Sequence, residues 1–159
     1  MALSDRIVGM HYRYPDCYVV GREKIREFAT AVKNDNEVFF DEKVAADLGH
    51  RALPTPLTFT AVFGYLVQTS FFKWAGVGIK DMKIVQVDQV FKYAKPIYAG
   101  DKLYCDLYVD SVRQAHGTDI VVLKNIVTDE AGDVVQETFT TLAGRAGDDG
   151  EEGFTDGTA

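Results

Sequence analysis

The side chains able to move protons or bind metals are scattered along this chain. His11, His50 and His116 lie far apart, and none has a carboxylate or cysteine at a ligand spacing. Cys17 and Cys105 match no metal or redox motif. A Gly-rich nucleotide loop, a Gly-x-Ser-x-Gly elbow and a cysteine nucleophile site are missing too, so neither metal nor organic cofactor is expected. The densest polar segment is residues 32–48, Val-Lys-Asn-Asp-Asn-Glu-Val-Phe-Phe-Asp-Glu-Lys-Val-Ala-Ala-Asp-Leu. Amides such as Asn34 and Asn36 exchange no proton near neutral pH, and Phe39 has none to exchange. The segment therefore reads as a loop that keeps a shape and lacks proton chemistry, with Asp35 its nearest acid.

The elements that would hold this loop are helices before it and strands after it. Tyr18 to Val20 suits a short strand. Arg22 to Lys33 places Ile25, Phe28, Ala29 and Val32 at helical spacing, and Asp41 to Leu48 predicts a shorter helix stopped by Gly49. A third helix, about Pro56 to Trp74, is apolar on nearly every side and must be covered all round. From Met82 the period becomes two. Val85, Val87, Gln89, Phe91 and Tyr93 are expected on one strand face, and Leu103, Cys105, Leu107 and Val109 on another. Turns at His116-Gly117-Thr118 and Glu130-Ala131-Gly132-Asp133 separate two further strands. Helices first and antiparallel strands second predict an α+β domain.

Composition bounds the partners. The chain has 159 residues, 47% hydrophobic and 26% charged, with a net charge of -7. That length suits a single domain with a real core, and that charge excludes a nucleic-acid partner that needs a basic face. Thr58, Thr60, Gln68, Thr69, Ser70 and Lys73 interrupt the apolar run from Leu57 to Trp74, which predicts a core helix and no membrane span. Unpaired thiols and the absence of a targeting segment predict a cytoplasmic protein. The domain is expected over 1–146. Residues 147–159 carry five acids and no base, and predict a disordered acidic tail.

Residues 32–48 resemble the signature of the (R)-specific enoyl hydratase and MaoC-like dehydratase family, in which Gly-Asp-x-Asn-Pro-(aliphatic)-His leads into x-Asp and a short helix. Asn36, Val38, Asp41 and Ala45 fall on the signature Asn, aliphatic, Asp and helical Ala positions. The family's catalytic Asp and His fall on Asn34 and Phe39. Asp-Leu-Gly-His-Arg-Ala-Leu-Pro-Thr-Pro-Leu-Thr-Phe at 47–59, Ile-Val-Gln-Val-Asp-Gln at 84–89 and Ile-Tyr-Ala-Gly-Asp-Lys-Leu-Tyr at 97–104 narrow the match. They resemble the A-type, and more distantly the C-type, subunits of mycobacterial (3R)-hydroxyacyl-acyl-carrier-protein dehydratases over nearly the whole chain.

The resemblance implies a hot-dog fold, an antiparallel sheet wrapped around the long apolar helix. It also implies a lyase subunit without catalytic residues of its own, paired with a catalytic hot-dog subunit in a heterodimer. The assembled enzyme would dehydrate 3-hydroxyacyl chains on an acyl carrier protein in the type II fatty acid synthase cycle of mycolic acid elongation. Phe59, Ala61, Val62, Phe63, Tyr65 and Leu66 are candidates to line the acyl chain's path. Gln86 and Gln89 are candidates to hydrogen-bond substrate or partner, because an amide among apolar strand neighbours needs a bonding partner. Six lysines against three aspartates between Lys73 and Lys102 form a candidate docking rim for the acidic carrier. Two alternatives stay open: an acyl-thioester-binding or regulatory homodimer without turnover, and an autonomous hydratase using Asp35.

Overall fold

The computed structural model describes residues 2–147 and 150–157, with Asp81 described by its backbone alone. The chain opens with helix α1 (Leu3–Ile7) and two short strands, β1 (His11–Arg13) and β2 (Tyr18–Val19). Helix α2 (Arg22–Ala31) follows, burying Ile25 and Ala29 as their spacing predicts. It stops where Lys33 turns left-handed, with φ 57°.

The next segment is built by two side-chain caps. Asn36 Oδ1 accepts the Val38 N–H at 3.1 Å and starts a 3₁₀ turn, Glu37–Phe39. Asp41 Oδ1 accepts the N–H groups of Lys43 and Val44, at 2.7 and 3.2 Å, and starts α3 (Glu42–Asp47). Val38 and Ala45 are buried beneath these turns. The four signature positions that the chain retains are thus the ones that fold the loop.

Helix α4 (Ala61–Trp74) begins later than the expected Pro56. Residues 56–60 form turns instead, because Thr55 N–H is tied to Ile97 O and Pro54 bridges to Tyr98, which holds this stretch beside a distant loop. Strand β3 (Val77–Ile79) then leads to the long strands β4 (Ile84–Tyr93), β5 (Lys102–Ala115), β6 (Thr118–Thr128) and β7 (Val134–Arg145). The sheet runs β1-β5-β6-β7-β4, with β2 also on β5 and every pair antiparallel. His116 and Gly117, with φ 49° and 72°, make the tight β5–β6 hairpin. Leu103, Cys105, Leu107 and Val109 are buried together, as their alternation predicts. With Phe63, Val67 and Phe71 of α4 they form the core of a hot-dog fold.

Strand β4 departs from strict alternation. Gln86 pairs with Leu142 and Asp88 with Thr141, leaving a bulge at Val87. Gln86 and Gln89 consequently share the face toward α4, and Val85 and Val87 are 62% and 58% exposed. The expected common face of Val85, Val87 and Gln89 is corrected by that extra residue.

The acidic tail is also more ordered than its composition suggests. Strand β8 (Phe154–Asp156) pairs with β3, and buried Phe154 packs on Phe72 with ring centres 5.8 Å apart. Arg6 pairs with Asp156 at 3.0 Å and Lys80 with Glu152 at 3.1 Å. A Cβ on Gly153 would meet Ile84 Cγ1 at 2.9 Å, so the missing side chain permits this seating. One aromatic anchor and two ion pairs offset the ordering cost of a short segment. The rest of the tail reading, at residues 148–149 and 158–159, lies outside the described residues.

Candidate substrate cavity and partner face

A cavity of about 410 Å³ lies where the 3₁₀ turn meets the approach to α4. Val38 and Phe39 supply one wall, Pro56 and Leu57 a second, and Tyr93 and Ile97 a third. Thr60 and Gln136 close its inner end, where the Thr60 hydroxyl bonds Gln136 Oε1. Its titratable groups are already engaged. His50 Nδ1 lies 3.0 Å from the Tyr98 hydroxyl, and the Tyr93 hydroxyl donates to Leu57 O at 2.7 Å. Burial raises the Tyr93 pKa above its ordinary value. Lys95 is held by Asp133 and Asp129 at 2.7 and 3.3 Å. No carboxylate lines this cavity among the described residues. A concave, mostly apolar space of this kind suits an apolar body.

The two positions that could have carried proton chemistry are separated. Phe39 lines the cavity, whereas Asn34 accepts the Asn36 N–H at 3.2 Å and helps shape the loop. His11 lies on an exposed strand, its Nε2 2.7 Å from Asp106 Oδ1, and His116 lies in the hairpin turn. Burial, with Asp106 beside it, pushes the Cys105 thiol up to about 12, which leaves it unreactive.

The candidate path residues divide. Phe59 and Phe63 are 0% and 1% exposed, enclosed by Phe28, Tyr14 and Tyr18, so they pack in the core. Phe63 faces inward on the side of α4 that covers the sheet, and Phe59 precedes the helix in the turns before it. Ala61, Tyr65 and Leu66 face outward and Val62 lies half-buried, with Tyr65 58% and Leu66 44% exposed. Beside them runs β4, an edge strand with exposed Val85, Val87 and Val90. An unpaired edge flanked by an apolar helix face is a surface that association would cover. Gln86 and Gln89 lie in the groove between, and Thr140 donates to Gln89 Oε1 at 2.8 Å.

Sequence reasoning missed Leu57, Thr60 and Gln136, and a set of buried polar side chains at Asn125, Thr138 and Thr140. The signal was present in Gln136, Thr138 and Thr140, a period-two polar run on the inward face of β7.

Residues 6–138 match the family described as FAS1-like, dehydratase domain region. The chain belongs to the FAS1-like dehydratase family. A UPF0336 protein of Mycobacterium tuberculosis is 67% identical over 159 residues, covering 100% of both chains. A second UPF0336 protein of that organism is 51% identical over 148 residues, covering 93% of this chain and 89% of its own length. A solved chain of the C-terminally truncated HadBC (3R-hydroxyacyl-ACP dehydratase) complex from M. tuberculosis is 49% identical. It superposes with a TM-score of 0.82, covering 89% of this chain and 100% of that one. This FAS1-like dehydratase chain is therefore a hydroxyacyl-ACP dehydratase-like hot-dog protein. Among its described residues, no helix is long and apolar enough to cross a membrane.

Proposed function

We propose that this chain is the non-catalytic, substrate-holding subunit of a heterodimeric (3R)-hydroxyacyl-ACP dehydratase in type II, mycolic acid elongation. The observation that carries the reading is Phe39 on the wall of an apolar cavity that no carboxylate lines among the described residues. Dehydration removes a proton from C2 of the 3-hydroxyacyl thioester and returns one to the departing hydroxyl, yielding the 2-enoyl thioester and water. A partner hot-dog subunit supplies the Asp and His for both transfers. This chain supplies the apolar surface beside them, through the cavity at Phe39 and Leu57 and the open face of α4. The relationship to a chain of the HadBC complex supports such a pairing.

Ala61 and Tyr65 lie at the groove where the partner is to dock, and they and Leu66 bear on the acyl chain. Ala61→Trp in the assembled enzyme is expected to shift the preferred acyl chain toward shorter lengths, read as kcat/KM across a chain-length series. An unchanged series removes Ala61 from the path. Carrier docking falls to a smaller rim than the lysine count suggests. Lys80, Lys83 and Lys95 are paired with acids of this chain, whereas Lys73, Lys92 and Lys102 carry no ion pair among the described residues. Carrier affinity that is insensitive to salt would remove the rim from the account.

A further inference from the structure

The sheet face beneath α4 carries a polar stripe where a hot-dog core calls for aliphatic side chains. It crosses three strands, from Asn125 on β6 to its pair Thr138 on β7, then to Thr140 and its pair Gln89 on β4, and on to Gln86 at the open edge. Asn125, Thr138 and Thr140 are buried, and no charged side chain lines the cleft above them. Thr60 and Gln136 satisfy each other, as do Thr140 and Gln89. Asn125 differs. Only 4% exposed, it has a buried Oδ1 without a hydrogen-bond partner among the described residues. Leaving a buried amide unpaired is costly, and a structural core position removes that cost by carrying Leu or Val instead.

The helix above places its smallest residue at this point. Residue 64 of α4 is glycine, and a Cβ there would lie 3.5 Å from Asn125 Nδ2. Gly64, Thr138 and Thr140 line a cleft of about 50 Å³ with Gln86 and Gln89 at its edge-strand side. A water molecule needs roughly 10–15 Å³ of such room, so a short file of water fits where a thioester arm does not. The group that completes Asn125 must donate to Oδ1, which a water does. Thr60 lines both this cleft and the apolar cavity, and it stands between the two.

We propose that the stripe from Asn125 to Gln86 is a water-holding lane that takes up the water eliminated in the dehydration. The role in dehydration rests on the function proposed above. An acyl chain seated along an apolar seam blocks the route by which substrate entered. The eliminated water then needs a separate hydrogen-bonding path, and the neutral amides and hydroxyls supply one without a charge that would trap it.

Two measurements test this. In the full chain with nitrogen-labelled asparagine, the Asn125 side-chain amide protons are expected to show magnetisation transfer from a long-lived water, and its absence overturns the site. In the assembled enzyme, a 3-hydroxyacyl substrate labelled with heavy oxygen is followed in deuterated water. The loss of label is compared with deuterium uptake at C2. Asn125→Leu and Gly64→Val are expected to lower that ratio severalfold, because released water returns to the enoyl product before it escapes. Asn125→Thr, which keeps a hydroxyl in the lane, is expected to retain the wild-type ratio. An unchanged ratio in Asn125→Leu overturns the draining role, whereas a merely structural Asn125 changes stability and leaves the ratio alone. A wild-type assembly that performs no dehydration refutes the proposed function, and the water contact still decides the site.

Discussion

Along α4, Phe63, Val67 and Phe71 are no more than 1% exposed, whereas Tyr65 and Leu66 are 58% and 44% exposed. Both sides are apolar, so hydrophobicity alone does not separate them. The inward side packs with Leu107, Val109 and Leu123 of the sheet, and the outward side stays open beside the edge strand β4 and the β3–β8 pair. For a helix that is apolar on nearly every side, the proposed function calls for two coverings. One is the fold's own sheet. The other is the surface assigned above to a partner subunit and an acyl chain.

Breaking the inward side has the largest effect. Phe63→Ala is expected to lower unfolding stability by about 3–5 kcal/mol, read from urea unfolding, because it removes a ring packed among Tyr14 and Tyr18. A loss of the size seen at exposed sites would contradict the assignment of this side to the core. On the outward side, Tyr65→Asp combined with Leu66→Asp is expected to leave stability within about 0.5 kcal/mol. The same pair is expected to weaken subunit association by about 2 kcal/mol or more, the size of an interface hot spot, measured by calorimetry. Equal losses of stability and association would erase the distinction between the two sides.

A smaller effect is expected at the far end of α4. Phe154→Ala takes the anchor from β8, and its cost is expected to be local, about 1–2 kcal/mol. Proteolysis near Gly153 should accelerate while the urea midpoint of the domain moves little. The smallest effect concerns the β6–β7 turn at the cavity rim. Burial opposes ionisation of Asp129, but the Asp133 N–H and Lys95 outweigh it and hold its carboxyl below the usual range. Its contribution is therefore present above the unfolded carboxyl pKa and lost as pH falls through the lowered value. Asp133 and then Asp129 raise Lys95, whose contribution is present below the unfolded lysine pKa and lost as pH rises through the raised one. Amide exchange at Gly132 should accelerate at both limits, and Lys95→Met should flatten the response.

Much of the architecture was legible because it depends on local rules. The strand alternation at Leu103 to Val109, the Asp41 cap and the His116-Gly117 turn are each decided within a few residues. Three features were not. The late start of α4 depends on Thr55 bonding to Ile97, and the seating of β8 depends on Phe72 and a gap at Gly153, contacts far apart in sequence. The bulge at Val87 reverses the predicted face of Gln86 by inserting one unpaired residue, which no residue type announces. At the site, the capped shape of the loop was readable from Asn36 and Asp41. Which apolar residues face the groove was not, because Phe63 and Tyr65 look alike until the sheet covers one of them.

The most direct test of the account is dehydration of a 3-hydroxyacyl thioester by three preparations: this chain alone, a hot-dog subunit carrying the Asp and His pair alone, and their mixture. The account predicts turnover that depends on the second chain and rises sharply when this one is added, with long acyl chains gaining most. Turnover by this chain alone, or a mixture no faster than the catalytic subunit by itself, would contradict it.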